Sequence, residues 1–189
     1  MKKAIIMLIV LCITGFAQNP TGEGPAGKVK IAVCDHNDYN GDSKEFSKAV
    51  LTSLVKNCED CQEITNYDAF FAYSKENGCE TAAKKYGADL FLWLFVHPYE
   101  NSTIYLIDLK KNKRIIDNGS IKLQGYSSNS VKTLVAGIQR HIINAALGVQ
   151  NQRAKEQEDK RMAKEKQQAE RLAMELENKR RELIKSLWE

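Results

Sequence analysis

The chain has 189 residues, 28 Lys and Arg against 24 Asp and Glu, a formal charge of +4 and a hydrophobic share of 43%. That length holds one domain of ordinary size and an appendage. The charges are interspersed rather than gathered on a basic face, which leaves nucleic acid out as a partner.

Lys2 and Lys3, an apolar run from Ala4 to Thr14 and the small-x-small triplet Gly15-Phe16-Ala17 read as a signal peptide over residues 1–17. The apolar run is too short to cross a bilayer, so no transmembrane anchor is expected once the signal is removed. Its removal takes away two lysines and no acid, leaving a nearly neutral protein at +2. Lipid attachment at Cys12 is disfavoured because Leu11, not a small residue, precedes it. Residues 18–27, rich in Pro and Gly, form a flexible linker.

Order is expected from Lys28. Val29, Ile31 and Val33 alternate with Lys30 and Ala32 as a strand does. Asp42 and Glu45 make a capping-box-like start for a first helix, whose apolar face runs through Phe46, Val50 and Leu54 to near Asn57. A short strand follows over Glu63–Tyr67, with Phe70, Phe71 and Tyr73 as core residues after it. The second helix is placed from Ser74 or Glu80 through Tyr86, ending at Gly87. Leu90 to Val96 is apolar without alternation, the mark of a central strand covered on both faces, and Trp93 is taken as core. Ser102–Leu109 and Arg114–Leu123 flank the polar loop Lys110–Lys113 as an antiparallel hairpin. Val131, Leu134, Val135, Ile138, Ile142, Ile143 and Ala146 form an amphipathic third helix with Gly148 as its stop. The fold class is therefore α/β (α+β): a three-layer-type βαβαββα domain over 28–148, built on a mixed sheet.

Residues 149–189 contain neither Gly nor Pro and read as a separate long, charged helix. Glu156/Lys160, Glu175/Lys179 and Glu177/Arg181 stand four apart with the acid first. Met162, Ala169, Leu172, Leu176 and Leu183 leave a thin coiled-coil trace, interrupted by Glu165, Lys179 and Ser186. Leu183, Ile184, Leu187 and Trp188 cluster at the end of the rod. They are expected to bind a partner or a second copy; folding back onto the domain and contact with a membrane surface are the alternatives.

The order of elements over 28–147 resembles the domain shared by the curli-secretion channel subunit CsgG, the penicillin-binding-protein activator LpoB and the N-terminal part of TolB. The resemblance is carried by Lys28–Val33 with Asn40-Gly41-Asp42, by Phe46–Leu54, by Ile64–Phe71, and above all by Thr81–Leu90 with its Gly87-Ala88-Asp89 and by Leu106-Ile107-Asp108-Leu109. It implies a bacterial envelope protein, exported to the periplasm or associated with the outer membrane. Such a protein binds an envelope partner or assembles, regulating an envelope enzyme or secretion machine, and has no cofactor. Two features depart from that pattern: there is no convincing lipid-attachment site, and no spare alternating segment to build a membrane hairpin, so a pore is not expected.

The chemistry-bearing residues give no catalytic, cofactor-binding or metal site. Cys34, Cys58, Cys61 and Cys79 remain after signal removal, an even number that predicts disulfides with three possible pairings. Free thiols, a four-cysteine zinc site and a redox pair at Cys58-x-x-Cys61 are the alternatives, the last giving a thiol-disulfide oxidoreductase. That pair follows a helix C-terminus beside Glu59 and Asp60, which opposes a reactive thiolate. Asp38, Asn40 and Asp42 read as a turn and cap rather than a calcium loop, since Ala49 stands where a closing acid belongs. His36, His97 and His141 have no ligand spacing, and the triplets at Asn101 and Asn118 mark exposed hairpin turns. A groove, on analogy, is sought on the side of the first strand and second helix.

Overall fold

The computed structural model describes residues 27–36, 41–97 and 100–188. The signal peptide, nearly all of the linker and most of the Asp38–Asp42 loop lie outside them. The elements are β1 (Val29–Asp35), α1 (Gly41–Lys56), β2 (Cys61–Glu63), α2 (Tyr67–Asn77), α3 (Cys79–Lys85), β3 (Leu90–Phe95), β4 (Asn101–Asp108), β5 (Lys113–Lys122) and α4 (Ser128–Trp188). The strands form one mixed sheet in the order β2-β1-β3-β4-β5. β1 runs parallel to β2 and β3, while β3, β4 and β5 pair antiparallel.

Alternation along β1 assigns its two faces. Cys34 is bonded to Cys79 of α3, so Ala32 and Cys34 point toward α2 and α3. Ile31, Val33 and Asp35 point the other way, toward α1 and the first part of α4. On that second face Leu134, Ile138, Ile142, Ala146 and Val149 are all buried, a stripe at helical spacing laid across the sheet. Close approach at β5 has a specific cause: a Cβ on Gly137 would lie 3.2 Å from Ile121 Cδ1, so the absent side chain lets helix and strand meet.

Several expectations are corrected. The second strand is Cys61–Glu63 rather than Glu63–Tyr67, and Tyr67 already begins a helix. The reason is local: Asn66 takes a left-handed conformation and its side chain caps Ala69 N at 3.3 Å. Tyr67, Phe70, Phe71 and Ser74 then fall on one buried helical face, so the aromatic run belongs to α2 rather than preceding it. Gly78, at φ +82°, closes α2 through its N–H to Ser74 O and opens α3, making two helices of the expected one. Asp42 is not a cap, because α1 starts at Gly41 and Asp42 sits in its first turn.

Gly148 does not stop the third helix. α4 is a single helix of 61 residues that passes through it. A mid-helix glycine costs only about 1 kcal/mol relative to alanine, and Val149, one residue on, is buried against the core. Asn118 is corrected too: it lies inside β5 at φ 55°, where the register between β4 and β5 shifts, not in the hairpin turn.

Candidate functional site

Where α4 leaves the domain, it is locked rather than loosely continued. Gly87, at φ +69°, ends α3, and the chain enters the sheet through Asp89, whose N–H donates to Lys30 O at 2.8 Å and whose carbonyl accepts from Leu109 N at 2.9 Å. The Asp89 carboxylate is nearly inaccessible. One oxygen accepts from Lys30 N at 2.9 Å, and Arg153 Nη2 reaches both oxygens at 2.6 Å. Lys110 Nζ stands 3.8 Å away. Arg153 Nη1 donates to the carbonyl of Gly27, so the helix also holds the start of the ordered chain. One buried carboxylate thereby joins β1, the entry to β3, the hairpin turn and α4. Asp108 complements it by accepting from Lys110 N and Lys111 N, both at 3.1 Å, which shapes that turn.

At its other end α4 is capped by Ser127, whose Oγ accepts from Ser130 N at 3.2 Å. Gln139, in the packed first part of α4, ties the helix to the end of α1 by donating to Asn57 O at 3.1 Å. Beyond Arg153 every side chain from 154 to 187 is exposed. Residues 154–188 therefore form an arm of about 50 Å at ~1.5 Å per residue. Leu172 is 54% exposed, Leu176 67%, Leu183 63% and Leu187 78%. Ile184 is exposed as well, while the side chain of Trp188 lies outside the described part. The expected tip is thus solvent-facing and does not fold back. Glu175–Lys179 at 2.8 Å and Glu177–Arg181 at 3.3 Å form as spaced, whereas Glu156 accepts from Gln152.

The four cysteines form two bridges, Cys34–Cys79 and Cys58–Cys61. The first ties β1 to α3, and the second closes the bend between α1 and β2. All four are buried. They are bonded in pairs, not gathered around a zinc ion, and such bridges fit an oxidising compartment. Among the described residues no three His, Cys, Asp or Glu side chains converge as a metal site. No described helix is long and apolar enough to cross a membrane.

An open groove of about 900 Å³ lies between α1 and the start of α4, lined by Phe46, Ala49, Tyr126, Ser127 and Val131 among others. It is on the α1 and α4 face, opposite the second-helix side expected by analogy to carry a groove. Asp35, fully buried at the end of β1, supports it by accepting from Tyr126 O–H at 2.6 Å and Val96 N at 3.2 Å. On the opposite sheet face His36, Trp93, Phe95 and Tyr105 form a half-covered aromatic cluster, with ring centroids 4.9–5.8 Å apart. Trp93 is partly buried and packs against the core, as its assignment there expects, while one side of the cluster stays open at the exposed His36.

The Asp89–Arg153 lock is absent from the sequence reading. Its partners are 64 residues apart, and the one available signal was the Gly87-Ala88-Asp89 motif itself, in which an acid stands at the mouth of an apolar strand.

No protein-family model matches the chain. No curated protein matches it either. A solved structure of TolB from Acinetobacter baumannii is similar at 15% identity and a TM-score of 0.43, over 66% of this chain and 29% of that one. The chain spans less than a third of that protein, and a likeness so distant defines no shared role.

Proposed function

We propose that the protein is an exported, non-enzymatic adaptor or assembly protein of the cell envelope, acting through protein–protein binding. The domain presents one binding surface, and the terminal arm joins a second copy or reaches a partner, so regulating an envelope enzyme or a secretion machine. The observation that carries this reading is the arm: an exposed helix with an apolar stripe, anchored by a buried Arg–carboxylate lock. A helix that served only to cover the sheet has no need of residues past Arg153. Two buried disulfides support export, as does the signal-like character of residues 1–17.

Crosslinked capture from native envelopes tests it, comparing the full chain with one ending at Arg153. The same envelope protein should be recovered by the full chain and lost, or sharply reduced, with the short one. Equal recovery would remove the arm from the account, and recovery of nothing by either chain would remove the adaptor role.

A second reading, a periplasmic thiol-disulfide oxidoreductase, is favoured by one observation: Cys58 and Cys61 are bonded to each other. Their burial, at 6% and 1% exposure, opposes it, since exchange requires a sulfur that an incoming thiolate can reach. Replacing both by serine separates the two readings. Loss of reductase or oxidase activity supports the second; lowered stability with no activity to lose supports the first.

A further inference from the structure

We infer that two copies of the chain join through residues 160–188 as an antiparallel helix pair centred on Leu172 and Leu176. This rests on the reading that the arm self-associates, and it names the occupant of the apolar stripe as the same stripe on a second copy. In a two-helix seam the core positions recur alternately three and four residues apart. One set here is Met162, Ala169, Leu176 and Leu183; the other is Glu165, Leu172, Lys179 and Ser186. All lie on the continuous, exposed part of α4.

Orientation follows from charge. In a parallel pair each core residue meets its own counterpart, so Glu165 faces Glu165 and Lys179 faces Lys179, two layers of like charge withdrawn from water. An antiparallel pair sets one set against the other. Aligning Leu176 with Leu172 of the second copy makes a central four-leucine core by symmetry. The same register places Lys179 against Ala169, where the small side chain leaves room for the lysine stem, and Glu165 against Leu183, one helical turn from the opposing Lys179. Leu183 and Leu187 then close over Met162 of the second copy, which gives the apolar tip a place to bury.

Neighbouring registers are worse. A shift of one heptad opposes Leu176 to Glu165 in one direction and to Lys179 in the other.

Native lysines test this directly. Within one helix Lys164 and Lys185 are about 31 Å apart at ~1.5 Å per residue, beyond the reach of a glutarate-spaced amine crosslinker, but in the inferred pair they are level across the seam. Mixing unlabelled and nitrogen-15-labelled full-length chains, crosslinking and mass spectrometry should yield mixed-isotope Lys164–Lys185 peptides. Glu165→Lys should weaken self-association several-fold, and adding Lys179→Glu in the same chain should restore it. Mixed-isotope Lys164–Lys164 and Lys185–Lys185 peptides without Lys164–Lys185 would overturn the orientation while leaving self-association standing. A monomeric mass with no mixed-isotope crosslinks would overturn both.

Discussion

The carboxylate of Asp89 receives Lys30 N, Lys110 and both oxygen contacts from Arg153 in a site almost closed to water. Replacing Arg153 by Ala leaves that buried charge with only Lys30 N and the more distant Lys110 ammonium, and losing the main partner of such a pair costs about 3 kcal/mol at most when others remain. Urea unfolding should show this as a lowered midpoint. Arg153→Lys should recover only part of it, because an ammonium cannot span both oxygens. Tyr67 makes a second residue-scale case. Its phenol is buried and donates to Val33 O at 3.1 Å, and burial holds its pKa well above the ordinary value. Below about pH 10 the residue is neutral folded or unfolded and adds no pH dependence. Above that the unfolded chain sheds the proton while the folded one keeps it, so stability falls by about 1.4 kcal/mol per pH unit. Tyr67→Phe should make the decline between about pH 10 and 11 shallower by about 1 kcal/mol, because the unfolded phenol is only partly ionised at the start of that range, as followed by urea unfolding at each pH.

Among the elements, the two disulfides close loops of very different length, 45 and 3 residues in separation. On loop-closure entropy the first stabilises by about 4 kcal/mol and the second by about 1.5 kcal/mol. Replacing Cys34 and Cys79 with alanine should therefore lower the unfolding midpoint far more than replacing Cys58 and Cys61, and the reverse order would contradict the structural role given to each. Gly148 sits in the middle of α4 with no heavy atom near where a Cβ would point. Gly148→Ala should raise stability by about 0.5–1 kcal/mol, read as a higher thermal midpoint. Periodicity placed β1, α1, β3 and the hairpin within two residues, because each buries one regular face. It failed between Glu63 and Asn77 for an equally physical reason. Aromatic residues suit strands and helices alike, and the left-handed cap at Asn66 that decides between them is a backbone conformation rather than a pattern. Gly148 misled because a glycine ends a helix only when its backbone turns left-handed.

For the molecule as a whole, a small domain with a two-sided core carries a helix about twice as long as the sheet needs. The exposed tip was legible from composition, since Leu183, Ile184 and Leu187 stand out in a polar stretch. What fixes the direction of the arm was not, because the lock pairs residues 64 apart in sequence. The groove beside Tyr126 was likewise hidden, since it exists only once α1 and α4 share a sheet face. The central claim, that the arm is an association device, is tested most directly by sedimentation velocity on the full chain and on a chain ending at Arg153, each first shown to unfold cooperatively. The account predicts a concentration-dependent dimer for the full chain and a monomer for the shortened one. Identical masses across the same concentrations would contradict it.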